Sequence, residues 1–297
     1  SFHIMRLLIY GAGVIGSLYA ALFAQAGLET SLYARGKRLE TLQTDGLLYL
    51  DKRRIQKADV TILSELQSDD RYDFIFLTVR ENQLIQALNE LKANQSPCIV
   101  TMVNSIDDYG KWESICGKGR ILPAFPGAGG GIRDGVLDAA LTPRWVQPTT
   151  FAEISGEKTE RTERLSTLFR KAKIPYQQVK AMHLWQLCHL AMVVPMADAY
   201  ALADNPSKAG REQKIMRQTA MQLKTNFRRL KKACGKLSPA KMNFFWLAPV
   251  PALTIALSLV FESAFGNRFM YQHAVKAPDE MRRLHDQFYG YLDARAQ

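Results

Sequence analysis

Hydrophobic positions follow two regimes along the chain. Up to about residue 180, short apolar runs alternate with stretches of helical period. Residues 6–10 (RLLIY) predict a buried strand that breaks at Gly11, and residues 14–26 a helix. Further strands are predicted at 30–34, 47–50, 54–63, 74–79 (FIFLTV), 98–103, 121–124, 146–147, 150–154 and 176–179, with helices at 83–93 and 159–171. Apolar strands separated by helices predict a mostly parallel sheet covered on both faces. From about Ala181 the strand pattern stops. Residues 181–203 predict one long helix containing Pro195. Residues 208–233 predict a second, with Ile215, Met216, Ala220, Leu223, Phe227 and Leu230 on one stripe, and 252–265 and 278–292 two more. The expectation is an α/β domain over 5–180 followed by an all-helical domain over 181–297.

At 297 residues the chain is long enough for two such domains. Its 47% hydrophobic and 23% charged residues are ordinary for a globular protein and argue against disordered and fibrous classes. Cys98, Cys116, Cys188 and Cys234 are far apart, with no C-x-x-C pair. That argues against a zinc site or a disulfide scaffold and for a reducing cytoplasm. No secretory signal pattern is visible, and residues 1–4, ahead of Met5, are expected to lie outside the fold. The longest apolar run, 244–261, contains Pro249 and Pro251, so a buried core helix is expected there rather than a membrane span.

Candidate chemistry begins where the first strand ends. Gly11-Ala12-Gly13-Val14-Ile15-Gly16 is G-x-G-x-x-G between a predicted strand and a predicted helix, the context in which this string binds a dinucleotide. The first glycine makes the tight turn, the second admits a pyrophosphate close to the backbone, and the third lets helix and strand pack together. The first domain is therefore expected to be of Rossmann type. Proteins that hold NAD place Asp or Glu at the end of the second strand for the ribose 2′-hydroxyl. Here that position reads Ala34-Arg35-Gly36-Lys37-Arg38. Three cations and no carboxylate favour a 2′-phosphate, hence NADPH, with Arg35 the first candidate and Lys37 or Arg38 assisting.

These residues, with others downstream, resemble the ketopantoate reductase (2-dehydropantoate 2-reductase) family of the 6-phosphogluconate-dehydrogenase-like superfamily. GAGVIG is similar to the family's opening motif, and Arg35 stands where the family keeps an Arg for the NADPH 2′-phosphate. Thr78-Val79-Arg80-Glu81-Asn82-Gln83 resembles the family's Val-Lys-x-x-Gln, with Arg80 for Lys. Val103-Asn104-Ser105 resembles Gln-Asn-Gly. Residues 172–176 (AKIPY) and 184–187 (LWQL) resemble AGIP followed by x-W-x-K-L. The resemblance implies a Rossmann domain, a helical substrate and dimerisation domain, a small anionic carbonyl substrate entering between the two, and cofactor contacts from Arg80, Gln83 and Asn104. A homodimer is an expected assembly.

The departures fall on the reactive helix. The family's Lys, proton donor to the ketone oxygen, is replaced by Gln186, and two Asn, four and eight residues on, by Leu190 and Val194. Residues at i, i+4 and i+8 share a helix face, so this face is less polar than the family's and suggests a more apolar substrate. An amide donates a hydrogen bond but releases no proton at neutral pH. His183 and His189, three residues to either side of Gln186, are the alternative donors, with Asn104 as a further candidate. Glu262 and Ser263 are the nearest counterparts of later substrate contacts. The loop 125–131, with four glycines, suggests an anion-binding nest of backbone N–H groups or a mobile surface loop.

The net charge of +11 is almost wholly local. Residues 206–241 hold eleven Lys or Arg and one acid, Glu212, a net +10. A solvated helix face is the plain reading, and attraction of anionic substrate and cofactor the next. No nucleic-acid motif accompanies the stretch, so nucleic acid is not an expected partner. Three function classes stay open: an NADPH-dependent reductase of a 2-keto acid or related carbonyl, an NADP-binding protein with little catalysis, and a basic-surface binder of nucleic acid or membrane.

Overall fold

The computed structural model describes residues 4–296. Residues 1–3, expected to lie outside the fold, and residue 297 are outside the described residues. Contacts divide the chain into two compact units after Met182.

The first unit is built on an eight-stranded sheet. Its strands are β1 (Arg6–Tyr10), β2 (Glu29–Tyr33), β5 (Thr61–Leu63), β6 (Phe74–Leu77), β7 (Ile99–Met102), β8 (Ile121–Phe125), β11 (Thr149–Phe151) and β12 (Tyr176–Gln178). Their order is β12-β11-β8-β7-β6-β1-β2-β5. The six strands from β5 to β8 are parallel and in the doubly wound order 3-2-1-4-5-6 of a dinucleotide-binding fold. The antiparallel strand β11 and its parallel neighbour β12 extend the β8 edge. Alternation explains why these strands read as unbroken apolar runs: Leu7, Ile9, Phe74 and Phe76 face one core, while Leu8, Ile75 and Leu77 are equally buried on the other face. Phe23 of α1 (Val14–Gln25) and Phe169 of α5 (Glu160–Lys171) close the first face over Phe76, with ring centroids 5.0 and 6.3 Å away. The capping box at Thr159–Thr162 starts α5 where the sequence predicted it.

Four strands lie outside that sheet. β3 (Leu48–Asp51), β4 (Arg54–Lys57), β9 (Ala128–Arg133) and β10 (Val136–Leu141) form a second sheet in the order β4-β3-β10-β9. The predicted strand 54–63 is thus two strands in two sheets. The glycine-rich stretch 125–131 is a loop only at Pro126 and Gly127: Gly129, Gly130 and Gly131 pair with Ala140, Ala139 and Asp138. A Cβ on Gly130 would lie 2.3 Å from the Asp138 carbonyl oxygen, so close strand approach explains that glycine without an anion. Residues 146–147 are not a strand, because the backbone N–H groups of Val146 and Gln147 both turn back onto the Pro143 carbonyl. Two short helices escaped the hydrophobic pattern, α2 (Gly36–Asp45) and α4 (Tyr109–Cys116). The predicted helix 83–93 is a 3-10 turn at Glu81–Gln83 followed by α3 (Leu84–Leu91).

The second unit contains α6 (Met182–Leu202), α7 (Gln213–Cys234), α8 (Phe244–Leu247), α9 (Val250–Glu262), α10 (Gln272–Lys276) and α11 (Pro278–Ala294). Pro206–Arg211 is a separate 3-10 segment, so the predicted helix at 208 begins at Gln213 instead. The predicted core helix over 244–261 is also corrected. It is a pair bent by 117° at Ala248–Pro249, with Phe244, Leu247, Ile255 and Leu259 exposed. Among the described residues no single helix is long and apolar enough to cross a membrane, and the bent pair passes only by length and composition.

Pro195 lies inside α6 without ending it. Proline has no N–H, so the Ala191 carbonyl four residues back loses its helical donor. Asn226 of α7, fully buried, supplies the replacement: its Nδ2 donates to the Ala191 oxygen at 3.2 Å and to Tyr289 Oη at 3.1 Å, and its Oδ1 accepts from Gln222 at 2.8 Å. Asn226→Ala should therefore destabilise the protein by roughly 1–3 kcal/mol, the cost of orphaning buried polar groups. In a Pro195→Ala background, where Ala191 regains a helical donor, the same change should cost less. Urea unfolding of the four proteins checks the coupling, and strict additivity would show that Asn226 does not serve the proline gap.

Candidate functional site

Parallel strands deliver their following residues to one edge of a sheet. The carboxyl ends of β2, β1, β6 and β7, adjacent in that order, bring together Arg35, the glycine turn, Thr78 with Arg80, and Asn104. Gly11, Ala12 and Gly13 form the turn, and Val14, Ile15 and Gly16 the first turn of α1.

The three glycines differ in their surroundings. Gly11 has φ +115°, and a Cβ there would meet the Thr78 carbonyl oxygen at 3.0 Å. Gly16 has no room at all: a Cβ would sit 1.9 Å from the Gly11 carbonyl oxygen and 2.5 Å from Thr78 Oγ1. Thr78 Oγ1 in turn donates to the Gly11 carbonyl at 2.9 Å, tying the β6 end to the turn. Around Gly13 nothing lies within 4 Å of such a Cβ. Gly13 is also the N-cap of α1 and offers no side-chain cap, so the first N–H groups of the helix stay open to an external acceptor. One glycine is turned, one is packed and one is open. These residues fit a dinucleotide's pyrophosphate, which needs the helix end uncapped and the backbone bare.

Arg35 is the N-cap residue of α2, so the basic turn of the sequence is a helix start. Its guanidinium is not free. Arg35 Nη1 lies 3.2 Å from Glu90 Oε1, and the other Glu90 oxygen accepts from the Tyr10 hydroxyl. Tyr10 stacks on Tyr33 at 4.4 Å, and Tyr10, Tyr33, Glu90 and residues 64–67 line a recess of about 390 Å³. Glu90 had no signal in the sequence: it lies 55 residues from Arg35 and only the fold joins them. Arg38, the minor candidate, is the cation nearest the turn. Its Nε donates to the Ala12 carbonyl at 2.9 Å and its Nη2 to Ser17 Oγ at 3.0 Å. Lys37 is exposed. Arg80 and Gln83 are exposed at the two ends of the 3-10 turn. Asn104, two residues beyond β7, keeps a buried Oδ1 with no hydrogen-bond partner.

In the second unit Gln186, His183 and His189 are all on α6. Gln186 is 1% exposed, and neither its amide nitrogen nor its amide oxygen has a partner. An unpaired buried amide costs about 1–3 kcal/mol, which marks this position as more than packing. Leu190 and Val194 are buried with it on the same helix. His189 stacks on Trp185, ring centroids 5.3 Å apart and planes 7° apart. Burial, with a smaller push from His273, lowers its pKa to about 4, so the imidazole is neutral at pH 7 and a poor proton source. The His183 ring lies 6.1 Å from that of Tyr291. Glu262 pairs with Arg211 at 3.0 Å, and Ser263 Oγ donates to the Val260 carbonyl at 2.6 Å. Both are engaged in local structure.

Residues 7–134 match the family profile described as Ketopantoate reductase PanE/ApbA. A curated 2-dehydropantoate 2-reductase from Mesorhizobium japonicum is 28% identical over 192 residues, 57% of this chain. Over its first half the chain is thus similar in sequence to the ketopantoate reductase family. The alignment spans 58% of that relative's length. At the level of fold the likeness is longer. The structure of 2-dehydropantoate 2-reductase from Porphyromonas gingivalis W83 matches 98% of this chain and 99% of its own, with a TM-score of 0.65 at 16% identity. A complex of D-mandelate dehydrogenase with NADH matches 98% and 100%, with a TM-score of 0.66 at 15% identity. The chain thus shares the fold of these structures along nearly its whole length.

The histidine gives a pH prediction. An unfolded His takes up a proton near pH 6.5, while His189 in the fold resists until about pH 4. Between those values the unfolded state binds more protons, so stability should fall as pH drops from 6.5 to 4, by up to roughly 3 kcal/mol. His189→Gln should flatten that slope, as measured by urea unfolding at pH 7 and 4.5. An unchanged slope would mean that His189 is not the group responsible.

Proposed function

We propose that this chain is an NADPH-dependent oxidoreductase of the ketopantoate reductase family that reduces a 2-keto acid or related carbonyl more apolar than ketopantoate. The observation that carries the reading is the glycine turn, open at Gly13 and uncapped at α1 yet closed at Gly16. The nicotinamide supplies the hydride when bound. The chain's own part is to hold the cofactor and to stabilise charge on the substrate oxygen. The glycine turn holds the phosphates, Arg35 the 2′-phosphate, and Arg80, Gln83 and Asn104 the remaining polar groups. Gln186 stands where the family keeps its Lys. Its amide N–H steadies a developing oxyanion by hydrogen bonding without transferring a proton. Leu190 and Val194 beside it favour an apolar substrate side chain.

A second reading is an NADP-binding protein with little turnover. It is favoured by two of the candidates on α6, since Gln186 cannot ionise and His189 is held neutral.

NADPH oxidation with a panel of 2-keto acids separates the two readings. The reductase reading expects turnover on apolar 2-keto acids and weak turnover on ketopantoate. Gln186→Lys should raise ketopantoate turnover by less than about tenfold, short of the ~10²-fold or more of a positioned general acid, because the surrounding pocket does not hold that substrate in line. A larger rise would identify Gln186 as the sole defect. Cofactor binding without turnover on any carbonyl would select the second reading.

For the cofactor, NADPH should bind at least about tenfold tighter than NADH, the scale of one charge-assisted contact. Arg35→Ala should remove most of that preference. Glu90→Gln should widen it, since it releases Arg35 and removes a negative charge from the same recess. Equal affinities for the two cofactors in calorimetry would overturn the assignment of Arg35.

A further inference from the structure

Arg38 is a half-buried cation without a counter-ion. Among the described residues no carboxylate pairs with it, and burial is the one influence that shifts its pKa, downward. Its hydrogen bonds go to the glycine turn and the start of α1. Nε and Nη2 hold the Ala12 carbonyl and Ser17 Oγ, Ser17 Oγ itself donates to the Ala12 carbonyl at 3.0 Å, and Nη1 is buried with no partner. A guanidinium stays charged at any ordinary pH, so positive charge is fixed beneath the turn.

The geometry acts through one peptide plane. In a trans peptide the carbonyl of residue 12 and the N–H of residue 13 point in opposite directions. Two donors, Arg38 and Ser17, draw the Ala12 carbonyl inward. The Gly13 N–H is thereby turned outward, on the residue where a side chain would meet nothing within 4 Å. A carbonyl bonded to a cation is also more polarised, which makes the N–H across the same peptide a stronger donor.

We propose that Arg38 is a positioning residue that presets the glycine turn for a pyrophosphate and supplies its counter-charge, whatever the ribose carries. This rests on the dinucleotide reading above and deepens it. Arg35 would choose between cofactors, whereas Arg38 would serve both alike. The chemistry recognised is the diphosphate shared by NADH and NADPH.

Calorimetry of NADH and NADPH, at several salt concentrations, tests the assignment in the full chain. Arg38→Met should weaken both cofactors by the same factor, roughly ten- to hundredfold for a lost charge-assisted bond. It should also flatten the salt dependence of both affinities, since a charge facing the phosphates has been removed. Arg38→Lys should restore the salt dependence and part of the affinity. Ser17→Ala, which removes the neutral arm of the same brace, should give a smaller and salt-independent loss, and it keeps the test open if Arg38→Met fails to fold. A loss confined to NADPH would overturn the proposal by assigning Arg38 to the 2′-phosphate. Weakening with an unchanged salt slope would overturn it by making Arg38 a purely structural strut, and unchanged affinity would overturn it outright. Binding of neither cofactor by the wild type would instead remove the dinucleotide reading itself.

Discussion

Between Gly16 and the Gly11 carbonyl there is no space for a carbon atom, since a Cβ would lie 1.9 Å from the oxygen. That approach brings the start of α1 against the end of β1, and much of the first unit follows from it. It sets the helix axis over the sheet, so that Phe23 reaches Phe76 beneath it and Phe169 beside it. It also fixes the Gly11 carbonyl for Thr78, which locks β6 to β1 at the edge where Arg80 follows. A helix held this close leaves its uncapped N-terminus pointing past Gly13 into open space. The packing constraint and the anion-binding geometry are two consequences of one missing side chain.

The second unit shows how differently two buried amides can be treated. Asn226 has every polar atom engaged, and its partners include a carbonyl that Pro195 deprived of its helical donor. Gln186, as deeply buried, has none engaged. Burying an amide without partners costs free energy that a leucine at the same place would not. Stability therefore accounts for Asn226 and not for Gln186. A residue kept against the interests of packing is what the proposed role of Gln186 at the substrate oxygen requires.

Local features were legible in the sequence and distant pairings were not. The glycine turn, β1, α1 and α5 depend on neighbours a few residues away, and their patterns carried through. The second sheet did not, because β3 pairs with β10 almost ninety positions later. β9, the partner of β10, is half glycine and offers no alternation to detect. α2 is polar along most of its length, which hid it from a hydrophobic pattern. α4 is only eight residues long, although Asp108, whose carboxylate accepts from the Gly110 N–H at 2.9 Å, was a usable start signal. The site divided in the same way. Gly11, Gly13 and Gly16 announce themselves by spacing, whereas Glu90 reaches Arg35 only through the fold. The basic string 35–38 gave the cations but not their assignments. Position in the first turn of α2 is what aims Arg38 at the glycine turn.

The same distinction governs charge. The +10 concentrated in residues 206–241 reads in the sequence as a solvated helix face first and an anion-attracting one second. Lys224 then donates to the Trp246 and Ala248 carbonyls at 2.9 and 2.5 Å, where α8 ends and the chain bends. Lys231 lies 5.7 Å from the centre of the Trp246 ring, while Arg211 and Arg229 pair with Glu262 and Asp293. Several of these cations thus secure the 117° bend and the neighbouring helices. Arg38 reverses the case. It is a single charge, inconspicuous in the sum, but it is withdrawn from water and bound to the backbone of the turn. Water screens an exposed charge strongly and a withdrawn one much less. One guanidinium beneath Ala12 can therefore matter more to an anion at Gly13 than a whole solvated helix face.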